Sequence, residues 1–240
     1  YILTPYIKTL AFKIGAIDKP DNRKVHKKIM PRLGGLAIYI AFMIAAVASL
    51  EMTKDIVGIL LGGSVIAIVG VLDDKYQLPA KVKLLGQIFA ACVLVAFDIR
   101  IEWLNNPFGG YFYLNEWFIS VPLTIFWVIS FTNVVNLIDG LDGLAVGVSA
   151  ISTASITVIA LMVSETNVAI VLAALFGACL GFIPYNMNPA KIFMGDTGAT
   201  FLGYILATLS VTGLFKMYAI ISFAVPFLIL GVPIFDICFA

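Results

Sequence analysis

The clearest signal of the fold is the stretch Ile66-Ala-Ile-Val-Gly-Val-Leu-Asp73-Asp74-Lys75-Tyr-Gln-Leu-Pro79. The two adjacent carboxylates follow an apolar run that begins near Ile56 and is long enough, at about 17 residues, to cross a bilayer. Neighbouring anions repel each other and are costly beside hydrocarbon unless a divalent cation, a cationic side chain or water neutralises them. We therefore interpret the stretch as a membrane boundary that carries chemistry.

The composition is that of an all-α polytopic membrane protein. Hydrophobic residues make up 61% of the 240 residues and charged residues 12%, whereas about a quarter of the residues in soluble proteins are charged. We expect one integral-membrane domain over residues 1–240 that continues beyond residue 240, because the chain stops inside an apolar run. The apolar runs predict about nine membrane-spanning helices, at Tyr1–Ile17, Leu33–Leu50, Ile56–Leu72, Leu84–Phe97, Phe118–Val135, Leu144–Val163, Val168–Ile183, Ala199–Phe215 and from Met217 onward.

Two details refine this helix assignment. The helix at Leu84 is expected to start nearer Pro79, because proline is favoured in a first helical turn. Between Asp98 and Trp117, alternating apolar residues flank a turn-forming cluster, which predicts a small β-hairpin at the outer interface.

Other site types are disfavoured by the same sequence. Basic patches interleaved with aromatic residues are missing from it, so we expect no nucleic-acid binding. Cys92, Cys179 and Cys238 lie in apolar segments away from one another and from His26, which indicates small core residues rather than a disulfide or zinc site.

Loop charges predict the orientation in the membrane. If the basic loop from Asp18 to Arg32 is cytoplasmic, alternation of the helices gives eleven cations to that side and only Lys54, Arg100 and Lys216 to the other. The cytoplasmic cations are Lys13, Lys19, Arg23, Lys24, Lys27, Lys28, Arg32, Lys75, Lys81, Lys83 and Lys191. The same side receives five carboxylates at helix ends, namely Asp73, Asp74, Asp139, Asp142 and Asp196.

The polar stretch between the fifth and sixth predicted helices reads Asn133-Val-Val-Asn136-Leu-Ile-Asp139-Gly-Leu-Asp142-Gly143. Helix capping offers an alternative interpretation, in which Gly140 ends one helix and Asp142 caps the next. Capping alone explains one aspartate but not two aspartates and two asparagines at a membrane boundary. We therefore interpret the loop as part of a binding site.

The polar loop between the seventh and eighth predicted helices reads Asn186-Met-Asn-Pro-Ala-Lys191-Ile-Phe193-Met-Gly195-Asp196-Thr-Gly198. Its glycines allow a ligand close to the backbone, and Lys191 is a candidate counter-charge for a phosphate. An N-cap role for Asp196 is again the simpler alternative. Near the start of the chain, Gly34 and Gly35 follow Arg32 and leave room for an anionic group, although Arg32 is equally explained as a positive-inside anchor.

Carboxylates at this density suit a hard cation such as Mg²⁺, which prefers few protein oxygens and substrate phosphates. The basic residues suit phosphates, and the membrane setting suits a substrate with a lipid tail. The residues therefore predict Mg²⁺-dependent phosphoryl-group chemistry on a membrane lipid, with a soluble donor from the cytosol.

At these residues the sequence resembles the polyprenyl-phosphate N-acetylhexosamine-1-phosphate transferases of glycosyltransferase family 4, in the WecA and TagO branch. The matching motifs are Pro31-Arg-Leu-Gly-Gly35, Asp73-Asp74, Lys83-Leu-Leu-Gly-Gln87, Asn133 to Gly143 and Phe193-Met-Gly-Asp-Thr-Gly198. The resemblance implies ten helices and a His-rich basic loop beyond the ninth. It also implies transfer of N-acetylglucosamine 1-phosphate from UDP-N-acetylglucosamine to undecaprenyl phosphate, with release of UMP, as a first step toward teichoic acid or O-antigen.

The resemblance further implies roles for individual residues, with Mg²⁺ (or Mn²⁺) as cofactor. Asp196 is similar to the metal ligand, Asp73 to a base for the lipid phosphate, and Asp74 to a residue that supports the metal or diphosphate. The nucleotide side is implied for Asn136, Asp139, Asp142 and Lys83, and the uridine for Asn186 and Phe193. The protein is then expected in a bacterial plasma membrane with its site on the cytoplasmic face, and a homodimer is left open.

Two rival functions use the same residues differently. A cation- or proton-coupled transporter also carries intramembrane acids, but these usually lie near the midplane and between internal repeats. A CDP-alcohol phosphatidyltransferase shares the beginning of the pattern Asp139-Gly-Leu-Asp142-Gly143, but the next acidic residue is Glu165, on the predicted outer side.

Overall fold

Helices form most of the molecule. The computed structural model describes residues 1–20, 28–105, 110–114 and 116–211. The helices are α1 (Leu3–Ile14), α2 (Gly34–Ser49), α3 (Lys54–Tyr76), α4 (Ala80–Ala96), α5 (Trp117–Ile138), α6 (Leu144–Met162), α7 (Thr166–Asn186) and α8 (Gly195–Leu209). The strands are β1 (Ile17–Asp18), β2 (Met30–Pro31), β3 (Trp103–Asn105) and β4 (Tyr111–Tyr113).

Several of these helices have the dimensions of membrane spans. Within the described residues, α3, α5, α6 and α7 are long and apolar enough to cross a bilayer, and α2 is a shorter apolar helix. Large apolar side chains such as Ile68, Phe126 and Val158 remain exposed on their outer surfaces, where lipid tails would cover them. A mostly helical chain with several spans is thus confirmed. The predicted ninth helix, from Met217, lies outside the described residues, so its existence stays a prediction.

The predicted β-hairpin region forms a short antiparallel pair. Trp103 lies opposite Tyr113 and Asn105 opposite Tyr111 in the ladder of β3 and β4. The N–H of Leu114 also donates to the carbonyl of Glu102 at 2.6 Å, and the N–H and C=O of Ile101 then bond to the hydroxyls of Thr124 and Ser120 on α5. The bonds of Ile101 use the backbone groups that a longer ladder would need. Its place at the outer interface stays a prediction.

Helix α8 forms the centre of the bundle and packs against α2, α3 and α5. Nearly all its residues are buried, including Phe201 and Tyr204, as expected for a helix enclosed by others. Its first turn is approached very closely, since a Cβ added at Gly35 would lie 1.9 Å from the backbone nitrogen of Gly198. At Gly70 the added atom would lie 2.4 Å from the Cα of Thr197. Glycines on α2 and α3 therefore let two backbones touch the start of α8.

Two helix ends differ from the apolar runs in a way that matters for the site. Helix α3 continues through Asp73 and Asp74 to Tyr76, and the backbone N–H of Gln77 closes it on the carbonyl of Asp73. Helix α8 begins at Gly195, so Asp196 lies in its first turn rather than in a loop. Helix α4 begins directly after Pro79, as predicted. The first two differences arise because polar residues that end a membrane span can still complete its helical hydrogen bonds.

Candidate active site

Backbone pairing brings the start of α2 to the start of α8. The N–H groups of Gly34 and Gly35 donate to the carbonyls of Phe193 and Met194, at 2.9 and 2.7 Å. In the opposite direction, the N–H of Phe193 donates to the carbonyl of Pro31 at 2.9 Å. These bonds place Arg32 beside Asp196, although 164 residues separate them in the chain.

Two cations alternate with three carboxylates at this junction. The Lys83 ammonium lies 2.6 Å from Asp73 Oδ2 and 2.6 Å from Asp196 Oδ2. The Arg32 guanidinium reaches Asp196 Oδ1 with Nη2 at 2.7 Å and Asp74 Oδ1 with Nε at 3.2 Å. The arrangement compensates the buried negative charges, which would otherwise be strongly unfavourable. The structure thus brings together five residues predicted from the sequence, and they lie on four different segments.

Asp73 and Asp74 have different surroundings although they are neighbours in the sequence. Asp73 Oδ1 accepts a hydrogen bond from the backbone N–H of Leu78 at 2.7 Å, and its other oxygen pairs with Lys83. Asp74 accepts from the backbone N–H of Asp196 at 2.8 Å and from the N–H and hydroxyl of Thr197 at 3.1 and 2.6 Å. Asp74 therefore caps helix α8 from helix α3, so the capping role considered for Asp196 belongs to Asp74.

Two clefts open beside this cluster. The larger has a volume of about 740 Å³ and the smaller about 320 Å³. Arg32 and Asp18 line both clefts, while Asp73 and Lys83 line the smaller one. The predicted residues that line the larger cleft are Arg32, Asn136, Asp139, Asp142, Asn186, Phe193 and Asp196. The clefts therefore meet at Arg32 and the carboxylate cluster.

The sequence did not single out three residues that line the larger cleft, Asp18, Lys28 and Asn188. Asp18 reaches it because β1 and β2 pair, with Asp18 opposite Met30. A pair of two-residue strands is too short to produce an alternation signal. The only signal for Lys28 and Asn188 was their place in polar loops on the side where the carboxylates gather.

Asp142 and Asn186 fasten the two polar loops to each other. Asp142 Oδ2 accepts from the backbone N–H of Ala190 at 3.0 Å. The Asn186 side chain accepts from the N–H of Gly143 at 3.2 Å and donates to the carbonyl of Ile192 at 3.1 Å. The interpretation of Asp142 as a cap of α6 is wrong, because the N-cap is Gly143 with a φ of 76° and no side-chain cap bond forms.

Asp139 lies at the end of α5, outside the membrane-spanning segments, and lines the larger cleft. Burial raises the pKa of its carboxyl well above the usual range, and the negative charges of Asp74 and Asp196 raise it further. For Arg32, burial opposes the charged form, but the carboxylates of Asp74 and Asp196 outweigh it and raise the pKa. The cleft thus combines a permanently charged guanidinium with a carboxyl that is easily protonated.

Lys191 is the predicted binding residue that lines neither cleft. Its side chain is exposed, and its ammonium lies 6.0 Å from the centre of the Tyr185 ring. The backbone explains this orientation, because the N–H of Lys191 donates to the carbonyl of Tyr185 at 2.8 Å. Lys191 is therefore exposed on the loop that contributes Phe193 and Asp196, and it is not turned into the larger cleft.

A pair of side-chain amides joins α4 to α5 below Lys83. Asn133 Nδ2 donates to Gln87 Oε1 at 2.8 Å, and Gln87 Nε2 lies 3.4 Å from Asn133 Oδ1. Gln87 is buried and follows Lys83 by four residues, so the two side chains lie on the same face of α4. The pair thus fixes the helix face that presents Lys83.

Two of the clustered carboxylates suit a metal ion that is only partly coordinated by protein. Among the described residues, no group of three or more His, Cys, Asp or Glu side chains has an arrangement that could hold a metal by itself. Asp73 and Asp196, however, each place one oxygen 2.6 Å from a single cationic atom, Lys83 Nζ. Mg²⁺ is commonly bound by one or two carboxylates together with substrate phosphates. The donor set therefore fits a magnesium ion that is shared with a phosphate-bearing substrate.

Comparison with known sequences agrees with this geometry. The model of the family described as "Glycosyl transferase family 4" matches residues 56–214, which include most of α3, all of α4 to α8 and the three clustered aspartates. The chain belongs to glycosyl transferase family 4. The superfamily predicted from the motifs is thereby confirmed.

Individual similar proteins carry the names of transferases for N-acetylglucosamine phosphate and for phospho-N-acetylmuramoyl-pentapeptide. A Bacillus subtilis protein named "Probable undecaprenyl-phosphate N-acetylglucosaminyl 1-phosphate transferase" is 46% identical over all of this chain and 67% of its own length. A Mycolicibacterium smegmatis protein named "Decaprenyl-phosphate N-acetylglucosaminephosphotransferase" is 35% identical over 88% of this chain and 57% of its own. A Staphylococcus epidermidis "Phospho-N-acetylmuramoyl-pentapeptide-transferase" is 33% identical over 88% and 70%. The chain thus spans roughly 57–70% of the length of these relatives.

Proposed function

We propose that this member of glycosyl transferase family 4 transfers N-acetylglucosamine 1-phosphate from UDP-N-acetylglucosamine to undecaprenyl phosphate and releases UMP. The observation that carries the proposal is the position of Asp73 and Asp196, bridged by Lys83, where two clefts meet. Because the reaction joins two phosphate-bearing substrates, the clefts that bind them must meet at the reacting groups. The 46% identity to the B. subtilis relative supports the choice of sugar and lipid.

The larger cleft is assigned to the UDP-sugar. Its volume of about 740 Å³ suits a nucleotide sugar. Among the residues that line it, Asn136 and Asp139 offer hydrogen-bonding groups, and the Phe193 ring offers an apolar surface for uracil. Asn186 and Asp142 maintain the shape of this cleft through their bonds to the loop backbones. Arg32 faces the diphosphate, to which a guanidinium can donate two parallel hydrogen bonds.

The smaller cleft is assigned to the phosphate of the lipid acceptor. Asp73 lines this cleft together with Lys83 and Arg32, and we assign Asp73 as the base that takes a proton from the acceptor phosphate. An acceptor oxygen then forms a bond to the sugar-bearing phosphorus of the donor, and the bond from that phosphorus to the UMP oxygen breaks. The products are the lipid-linked diphosphate sugar and UMP, and Asp73 returns its proton to the UMP phosphate or to water.

Asp196 and Asp73 are the residues assigned to hold Mg²⁺, for which Mn²⁺ is expected to substitute. When bound, the ion offsets the negative charge of the donor diphosphate. Lys83 pairs with Asp73 Oδ2 and Asp196 Oδ2, the oxygens that would hold the ion. Its ammonium would pair with the substrate phosphates wherever the ion took its place on these carboxylates.

The site is assigned to the cytoplasmic face of a bacterial plasma membrane, where UDP-sugars are available. The exposed cations Lys75 and Lys81 lie at the same helix ends as the carboxylate cluster, which agrees with the excess of positive charge in cytoplasmic loops. The product would serve as the first lipid-linked intermediate of a cell-wall polymer of the teichoic acid or O-antigen type.

The test is a transfer assay with full-length protein in detergent. Undecaprenyl phosphate, Mg²⁺ and radiolabelled UDP-N-acetylglucosamine are supplied, and label in the lipid phase is measured together with UMP in the aqueous phase. We expect both products, and EDTA should abolish them. If these products fail to form and UDP-N-acetylgalactosamine or UDP-N-acetylmuramyl-pentapeptide reacts instead, the proposed sugar is wrong. If all three donors are inert and proteoliposomes accumulate cations, the transporter function replaces the transferase.

A further inference from the structure

The Asp74 carboxylate is enclosed by protein groups on both of its oxygens. A carboxylate offers about four lone-pair positions. Three donors occupy positions on it, namely the N–H of Asp196 on Oδ1 and the N–H and hydroxyl of Thr197 on Oδ2, and Arg32 Nε forms an ion pair with Oδ1 at 3.2 Å. The Asp74 side chain has no exposed surface, and it lines neither of the two clefts. A metal ion or phosphate could reach it only after these bonds break.

The neighbouring residues are shaped to keep this carboxylate in place. A Cβ at Gly195 would lie 2.6 Å from both Asp74 oxygens, and Gly195 has a φ of 73°. Glycine is therefore required there both for the close approach and for the backbone conformation. Thr197, the main partner of Asp74, is completely buried and also lines neither cleft.

We propose that Asp74 is a positioning residue that fixes Asp196 by capping helix α8, and that it contacts neither the metal nor a substrate. The cap holds the backbone of Asp196 and Thr197, while Arg32 joins the carboxylates of Asp74 and Asp196. The direction in which the Asp196 carboxylate points is thus set from helix α3. This inference rests on the proposed function, in which Asp196 is a metal ligand.

Thr197 provides a test that leaves every cleft residue unchanged. Thr197→Val removes the hydroxyl that donates to Asp74 Oδ2 and keeps the size of the side chain, whereas Thr197→Ser keeps the donor. A hydrogen bond to a charged group is among the stronger ones. We expect Thr197→Val to weaken metal affinity and raise the Mg²⁺ concentration for half-maximal activity by about tenfold. Thr197→Ser should restore most of both.

The experiment measures metal binding and local structure separately, in full-length protein in detergent. Electron paramagnetic resonance of unbound Mn²⁺ gives the affinity and stoichiometry for wild type, Asp74→Asn, Asp196→Asn, Thr197→Val and Thr197→Ser. Hydrogen exchange followed by mass spectrometry reports on the amides of residues 195–198. Both measurements are independent of turnover.

A positioning role predicts that Asp74→Asn still binds one Mn²⁺ at saturation, with weaker affinity and faster exchange at residues 195–198. Thr197→Val should change both quantities in the same direction, and Asp196→Asn should bind no Mn²⁺. The proposal is overturned if Asp74→Asn binds no Mn²⁺ while its amides exchange as in wild type. It is also overturned if Thr197→Val matches wild type in affinity and exchange, a result that stands even if Asp74→Asn does not fold.

Failure of the proposed function would give a different result. If wild type binds no Mn²⁺, the assignment of a metal to Asp73 and Asp196 fails. Amide exchange then decides the role of Asp74 by itself. Faster exchange in both Asp74→Asn and Thr197→Val would retain the cap, and unchanged exchange would exclude it.

Discussion

Asp139 is a residue whose ionisation should make stability depend on pH. An aspartate in an unfolded chain ionises near pH 4, whereas burial and nearby carboxylates raise the pKa of Asp139 in the folded protein. Between these two pKa values the folded state keeps a proton that the unfolded state has released. The contribution of Asp139 to stability therefore falls as pH rises from about 4 through the folded pKa.

Asp139→Asn should remove this penalty. We expect the variant to have a higher Tm than wild type at neutral pH, and the difference should shrink as the pH approaches 4. Thermal unfolding in detergent across this pH range measures it. Asp98→Asn is the control, because Asp98 is exposed and paired with Lys54, so its removal should give no gain. An equal or lower Tm for Asp139→Asn at neutral pH would contradict the prediction.

Lys83 was predicted to lie on the nucleotide side and Lys191 to be a counter-charge for a phosphate, and the structure separates them. Lys83→Met should leave Asp73 and Asp196 without their shared cation and lower kcat/KM by about 100-fold or more, as is typical when a charge-stabilising group is removed. Lys191→Met should change kcat/KM by no more than about twofold, because exposed side chains away from a site contribute little. Transfer assays on both variants measure the ratio, and a larger loss for Lys191→Met would contradict this arrangement.

The different roles of Asp73 and Asp74 could not be predicted from their adjacency. Successive residues of a helix point about 100° apart, so two neighbouring carboxylates at the end of α3 face different surroundings. One faces the smaller cleft and the other faces α8. Sequence identified the residue types that matter, but the assignment of each role needed the position of α8.

At the scale of elements, the contact between α2 and α8 depends on a glycine. Gly35→Ala would place a methyl group 1.9 Å from the backbone nitrogen of Gly198. Because the obstacle is backbone, the helices must separate, and overpacking of this kind typically costs about 1–3 kcal/mol. We expect a lower Tm and reduced activity, since the same contact supports Arg32 and Asp196.

Gly177→Ala is the matched control for this prediction. Gly177 lies within α7, and a Cβ there would meet no atom within 4 Å. Alanine also has a higher helix propensity than glycine, so this variant should be as stable as wild type or more stable. Thermal unfolding of the two variants side by side tests the packing. Equal Tm values would show that α2 and α8 are not in such close contact.

The apolar runs predicted the helices better than their polar ends. The run Leu144–Val163 matches α6 to within one residue, whereas α3 and α5 extend past their apolar runs into Tyr76 and Ile138. The hydropathy of a sequence identifies only the part of a helix that lies in the hydrocarbon core of the bilayer. Residues such as Asn136 and Asp73 remain helical because their backbone bonds are satisfied locally, whatever their side chains contact.

At the scale of the whole molecule, α3 should carry its two ends to opposite sides of the membrane. It has 23 residues, which at 1.5 Å per residue is about 34 Å and exceeds the roughly 30 Å hydrocarbon core. Lys54 lies at one end and Lys75 at the other, beside the carboxylate cluster. We expect Lys75→Cys to react with a membrane-impermeant thiol reagent only from the cytoplasmic side, and Lys54→Cys only from the outer side.

Intact cells and inverted membrane vesicles provide the two sides for this measurement. The three native cysteines are first replaced by alanine, because Cys92 is exposed on α4, and this cysteine-free protein is the control. Loss of the Lys54 ion pair should be tolerated, since exposed pairs contribute at most about 1 kcal/mol. Labelling of both positions from one side would contradict the membrane topology.

Hydropathy, charge and motifs were enough to predict the membrane class, the approximate helices, the family and most of the polar residues that matter, because these signals are local along the chain. The contacts among those residues could be assigned only from the packing of the helices. Arg32 reaches Asp196 through backbone pairing and glycine contacts between distant segments, and Asp74 turns inward to cap α8. Lys191 turns outward over Tyr185. Such roles depend on the packing of several helices, which no local pattern in the sequence encodes.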